Sequence, residues 1–119
     1  MPLKILHLDD EIEICNIFSD LFSSHDFHIK SFTQVPQAIE EAKKNPPDLI
    51  FLDYRLPGIT GEQVALQMND TIPKCLITGD VFVKIKYPFV ATFKKPWRSS
   101  AIQAFLDSML KEKKSKAKL

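Results

Sequence analysis

Cysteine is scarce. The chain carries two among 119 residues, Cys15 and Cys75, sixty positions apart, with no Cys-x-x-Cys pair and no Cys/His spacing of a zinc site. A disulfide framework and a thiolate metal centre are thereby excluded as the basis of the fold. Both cysteines lie among apolar neighbours and read as reduced core thiols. Long apolar runs are absent too: none approaches the ~20 residues of a membrane helix, and the first residues lack the apolar stretch and cleavage site of a signal peptide. A cytoplasmic protein with no membrane contact is expected. Nor does charge of one sign dominate, with 16 basic against 15 acidic residues. The balance hides an asymmetry, because five lysines and one glutamate fall within 111–119. Such a run reads as a solvated, frayed tail behind one domain spanning 1–110, and nucleic-acid binding is not expected.

What is present is ordinary for a globular domain, 45% hydrophobic and 26% charged, patterned as alternating strands and helices. Residues 3–8 form a short apolar run that stops at Asp9-Asp10-Glu11. Ile14, Ile17, Phe18, Leu21 and Phe22 then recur at helical spacing. A strand is predicted at 27–32, and a second helix opens at Pro36 and breaks at Asn45-Pro46-Pro47. In 48–53 four consecutive apolar residues close on Asp53, as suits a strand buried on both faces. A loop with Pro57, Gly58 and Gly61 leads to a helix around 64–68, and strands follow at 74–78 and 90–94. Ser100-x-x-Gln103 reads as a capping box ahead of the apolar stripe Ile102, Phe105, Leu106, Met109 and Leu110.

Alternating strands and helices call for a parallel sheet covered on both faces. Sites in such sheets lie beyond the carboxyl ends of the strands, where strand order reverses. Asp9, Asp10, Asp53, Thr78 and Lys95 all fall at that edge. Clustered carboxylates repel and persist with a cation or with raised pKa values. Short acidic side chains suit Mg²⁺, which keeps several waters and takes one or two carboxylates plus phosphate oxygens. A protonated lysine suits a phosphoryl oxygen, a threonine hydroxyl a second one. The set points to phosphoryl transfer, with a carboxylate as nucleophile. Each residue alone has a structural explanation, Asp10 as a helix cap and Lys95 as a solvated charge; the five together do not.

Three runs carry a resemblance: Ile5 to Glu11, Asp48 to Gly61 with its Asp-x-x-Leu-Pro-x-x-x-Gly pattern, and Thr78-Gly79 followed by Lys95-Pro96-Trp97. In them, over about residues 3–110, the chain resembles the receiver domains of two-component response regulators. The resemblance implies an α/β, flavodoxin-like, doubly wound five-stranded parallel sheet in the order 2-1-3-4-5. It implies Asp53 as phosphoacceptor; Mg²⁺ held by Asp10, Asp53 and the main-chain carbonyl of Arg55, with Asp9 acting through water; and Thr78 and Lys95 on the phosphoryl group. The implied phosphodonor is a phosphohistidine on a sensor histidine kinase or histidine phosphotransfer protein. A downstream protein target is implied but not identified. Such a protein is no enzyme beyond catalysing its own phosphorylation and autodephosphorylation, and a monomer is expected. Arg55 and Asp80, each two residues beyond a site residue, are candidates for a gate over the phosphoryl group. His7 reads as a core histidine, His25 and His28 as exposed, and Trp97 as packed near the site.

Two departures concern output. Thr92 occupies the place, three before the lysine, where family members carry a mobile aromatic ring. Only 16 residues lie between Thr78 and Lys95, with Tyr87-Pro88 restricting them further, so the fourth helix should be shortened or missing. Signalling is then expected through the loop 78–88, with Phe82, Ile85 and Tyr87 as contacts or core. A pseudo-receiver, an interaction module indifferent to phosphorylation, is the alternative reading. An aspartate-based phosphatase needs a second acid where Arg55 stands and is set aside.

Overall fold

The site depends on where each strand stops. In a computed structural model describing residues 1–80 and 83–117, five parallel strands form the sheet: β1 (Leu3–Leu8), β2 (Phe27–Phe32), β3 (Leu49–Asp53), β6 (Lys74–Thr78) and β7 (Ala91–Lys94). Their order is β2-β1-β3-β6-β7, the expected 2-1-3-4-5 once a small antiparallel hairpin, β4 (Arg55–Leu56) and β5 (Ile59–Thr60), is set apart. Gly58, at φ +72°, turns that hairpin in a region where glycine is unstrained.

Helices α1 (Ile12–Phe22) and α4 (Ser99–Ala117) cover one face, α2 (Val35–Lys44) and α3 (Gly61–Leu66) the other. Alternation along β1 feeds both cores, Leu3 and Ile5 into the first and Leu6 and Leu8 into the second. Strand β3 is buried throughout, as its unbroken apolar run implied. No described helix is long and apolar enough to cross a membrane.

Four expectations are corrected. Helix α1 buries Cys15, Phe18 and Phe22, leaving Ile17 and Leu21 47% and 52% exposed. The stripe is rotated because Phe18 wedges among His7, Phe22, Phe51 and Trp97. Ser100 lies inside α4, and Gln103 donates to Asp107 instead. The capping box is at α3, where Thr60 accepts from Gln63 N and Gln63 accepts from Thr60 N, which starts that helix three residues before the predicted one. Finally, the lysine-rich segment continues α4 to Ala117 rather than fraying. Lys113 lies on the inward side of the helix and donates to Pro2 O and Asp48 Oδ2, at 2.9 and 2.8 Å, which anchors the last turns.

Between β6 and β7 no helix occurs among the described residues, as the short interval required. Tyr87 and Phe89 fill that part of the second core instead. Val81 and Phe82 lie outside the described residues, and so does the reading of Phe82 as a contact; Ile85 is half-buried.

Candidate functional site

Strands β1, β3 and β6 end side by side, and the five polar residues gather at their carboxyl edge. Asp9 follows β1 and is buried; its N–H bonds Phe32 O, its Oδ1 accepts from Glu11 N, and its carbonyl accepts from Cys15 Sγ at 3.3 Å. Asp10, next along the chain, is exposed. Asp53 ends β3 at 4% exposure. Carboxylate oxygens of Asp9, Asp10 and Asp53 lie within 4.8 Å of one another.

Lys95 reaches this cluster from just beyond β7. Its Nζ stands 3.0 Å from Asp53 Oδ1 and 3.3 Å from Asp9 Oδ2. Its main-chain N–H bonds Thr78 O, so the lysine and the threonine are positioned by one hydrogen bond between strand ends. Thr78, largely buried, accepts at Oγ1 from Asp80 N at 3.0 Å.

Burial raises the Asp53 pKa to about 6; the hydrogen bond from Lys95 opposes that shift, and the neighbouring Asp9 and Asp10 reinforce it. For Lys95 burial works against the charge, but the bonds to Asp53 and Asp9 outweigh it and hold the ammonium above its ordinary pKa. The site is thus a buried anionic pocket with one fixed cation, short of positive charge. An all-oxygen donor set of three clustered carboxylates fits a hard divalent cation such as Mg²⁺.

Arg55 and Asp80, each two residues beyond a residue of the cluster's edge, meet with Nε to Oδ2 at 2.7 Å and Nη2 to Oδ1 at 3.1 Å. Thr92 is exposed on β7, whereas Phe93 turns to the other face against Phe51 and Phe105. Trp97 packs on Phe18 and Phe22. His7 is buried, stacked on Phe18, with Nδ1 3.0 Å from Ser31 Oγ. His25 and His28 are exposed.

Residue reading missed two supports. A Cβ on Gly61 would fall on the Asp53 carbonyl oxygen, so glycine alone lets α3 begin against the end of β3. Glu62 accepts two backbone N–H groups of the β6–β7 connection. Gly61 stood in the motif, but its reason is a tertiary approach. Glu62 carried no signal beyond its place in a helix's first turn.

The model of the response regulator receiver domain family matches residues 5–84. Among curated proteins, Protein Rrf1 of Nitratidesulfovibrio vulgaris is 27% identical over 92% of this chain and 84% of its own length. The regulatory protein VanR of Enterococcus faecium is 31% identical over 66% of this chain, which spans 35% of VanR. Among solved structures, the receiver domain of an HD domain-containing protein from Pseudomonas fluorescens superposes with TM-score 0.84 at 20% identity, covering 98% of this chain and 93% of that one. The chemotaxis response regulator CheY4 of Vibrio cholerae gives 0.78 at 20%, covering 92% and 99%. With its sheet order, its acidic edge and this match over most of its length, the chain belongs to the response regulator receiver domain family.

Proposed function

We propose that Asp53 accepts a phosphoryl group from a phosphohistidine of a sensor histidine kinase or phosphotransfer protein. A carboxylate oxygen of Asp53 attacks phosphorus, the P–N bond breaks, and the leaving imidazole takes a proton. The observation carrying this reading is the Lys95 ammonium fixed between Asp53 and Asp9, beside the largely buried Thr78. Lys95 is placed to move from the carboxylates onto the phosphoryl oxygens, and Thr78 to turn its hydroxyl toward them.

Asp10, Asp53 and the Arg55 carbonyl would hold Mg²⁺ directly and Asp9 through water. When bound, the ion supplies positive charge to the carboxylates and the transferred group. Ile17 and Leu21 are exposed side by side on α1, whose first turn follows Asp10, and this face would receive the donor. The chain catalyses its own phosphorylation and autodephosphorylation only. The Arg55–Asp80 pair would act as a gate that keeps water from the acyl phosphate.

Mass spectrometry after incubation with acetyl phosphate and Mg²⁺ tests the reading. A phosphate adduct on the wild type that is absent from Asp53→Asn is expected; an adduct persisting in the variant would mean a different acceptor. The exposed Thr92 and the absence of a helix among the described residues between β6 and β7 favour the second reading, a pseudo-receiver. Trp97 fluorescence separates the two, because Mg²⁺ or the donor changes it in a working receiver and leaves it unchanged in a pseudo-receiver.

A further inference from the structure

The segment Asp9-Asp10-Glu11 joins the end of β1 to the start of α1 and carries two of the three clustered carboxylates. Glu11 stands at the N-cap of α1, yet its side chain makes no cap bond. The segment is held at Asp9 instead. Asp9 N donates to Phe32 O at 3.1 Å, Oδ1 accepts from Glu11 N at 2.9 Å, and the carbonyl accepts from Cys15 Sγ at 3.3 Å. Among the described residues that thiol is the only donor on the Asp9 carbonyl.

Cys15 closes the first turn of α1 and is 2% exposed, but it lies outside both hydrophobic cores. Its sulfur faces main-chain oxygens: besides Asp9 O, Phe32 O lies 3.7 Å away. The thiol therefore spans the ends of β1 and β2, where the Asp9 N to Phe32 O bond already joins them.

The place of the Cys15 bond matters more than its strength. The Asp9 carbonyl belongs to the planar peptide that links Asp9 to Asp10. Fixing its oxygen sets ψ of Asp9 and φ of Asp10, and with them the spacing of the two side chains. A thiol is a weak donor, but a buried carbonyl that loses its one partner must turn to find another. That turn would carry Asp10 with it. Asp10 is exposed, and among the described residues nothing bonds its carboxylate, so its backbone alone places it.

We propose that Cys15 is a positioning residue of the cation site, its thiol holding the Asp9–Asp10 peptide so that both carboxylates face one ion together with Asp53. This rests on the reading that these aspartates bind Mg²⁺. A small cation with strict octahedral demands tolerates little change in the spacing of its oxygen ligands, so the thiol's grip is read out as affinity.

Mg²⁺ titrations of the full chain, followed by the amide NMR signals of Asp10 and Asp53, test it beside thermal melts in chelator. Cys15→Ala removes the donor, whereas Cys15→Ser keeps one at the same place. Cys15→Ala should bind Mg²⁺ about tenfold more weakly than wild type, the low end of what removing a ligand's support costs. Cys15→Ser should stay within about twofold of wild type, although both variants lose the packing of the sulfur and melt lower. Wild-type affinity in Cys15→Ala overturns the proposal and leaves the cation site standing. Equal losses in the two variants make Cys15 a packing residue and overturn it as well. A folded Cys15→Ser that binds weakly does the same, whatever the alanine variant does. Wild-type signals that ignore Mg²⁺ overturn the cation site and the proposal together.

Discussion

Asp53 is asked to be buried and charged at once, and that conflict is measurable. Its native pKa of about 6 stands above the ordinary 3.8, with burial as the leading cause. Above pH 6 the native carboxylate is ionised and the whole cost is present. As pH falls toward 3.8 the native state takes up the proton before the unfolded chain does, and the cost disappears. Metal-free Asp53→Asn should therefore be more stable than wild type at pH 7.5, by on the order of 1–2 kcal/mol, and lose that advantage near pH 4. Thermal melts in chelator at the two pH values check this; an unstable variant at pH 7.5 would mean that the Lys95 bond outweighs burial. Charge also divides the labour among neighbours. Asp10→Ala removes one of the three clustered carboxylates and, if Asp10 ligates the ion as proposed, should weaken Mg²⁺ binding at least tenfold by Trp97 titration. Lys95→Ala removes a repelling cation 3.0 Å from Asp53 and should leave binding intact or tighter. Equal losses in both variants would contradict that division. Asp53, Asp10 and Lys95 were legible because each sits where a strand pattern stops. Gly61 and Glu62 were not, since their partners are backbone atoms of other elements.

Arg55 on the β3–α3 side and Asp80 on the β6–β7 side tie the two connections together. An exposed pair of this kind contributes little to stability, and the proposed gate would act on kinetics alone. In Arg55→Ala and Asp80→Ala the acyl-phosphate half-life should shorten several-fold while the melting temperature barely moves. Unchanged half-lives in both would dispose of the gate, and a large loss of stability would make the pair structural. Element boundaries show where local reading fails. Five strands were legible from their apolar runs, and the lack of a helix among the described residues between β6 and β7 from the chain length between Thr78 and Lys95. The rotation of α1 was not, because Ile17 and Leu21 match the helical period as well as Cys15 and Phe18 do, and only aromatic neighbours from β1, β3 and the chain after β7 select the face. Ser100 and Thr60 both precede a glutamine by three residues; the backbone entering the helix chose Thr60. The lysine run looked frayed because one lysine's partners, Pro2 and Asp48, lie far away in the sequence.

Across the whole molecule, fold and site were legible together because one rule, strands ending at a common edge, fixes both. What periodicity cannot show is the electrostatic load beneath that edge. His7 was read as a core histidine; it is buried and stacked on Phe18, and its Nε2 has no partner. Burial foremost, then the charge of Lys95, lowers its pKa from 6.5 to about 3. Above pH 6.5 both native and unfolded states hold it neutral and it costs nothing. Below 6.5 the unfolded chain binds a proton that the native state refuses, so stability is lost as pH falls, by about 1.4 kcal/mol per pH unit until the native pKa is reached. Asp53 acts with the opposite sign between about 6 and 3.8, so the wild-type profile alone mixes the two. The difference between His7→Leu and wild type isolates the histidine, since every carboxylate contributes equally to both proteins. Whatever the two differ by at pH 7.5, where packing and the lost Ser31 bond are counted, the variant should gain about 2–3 kcal/mol on the wild type between pH 6 and pH 4. Urea unfolding at half-unit pH steps in chelator measures it. Parallel curves over that window would mean that the buried imidazole takes its proton in the native state, and that the core beneath Asp9 admits charge or water.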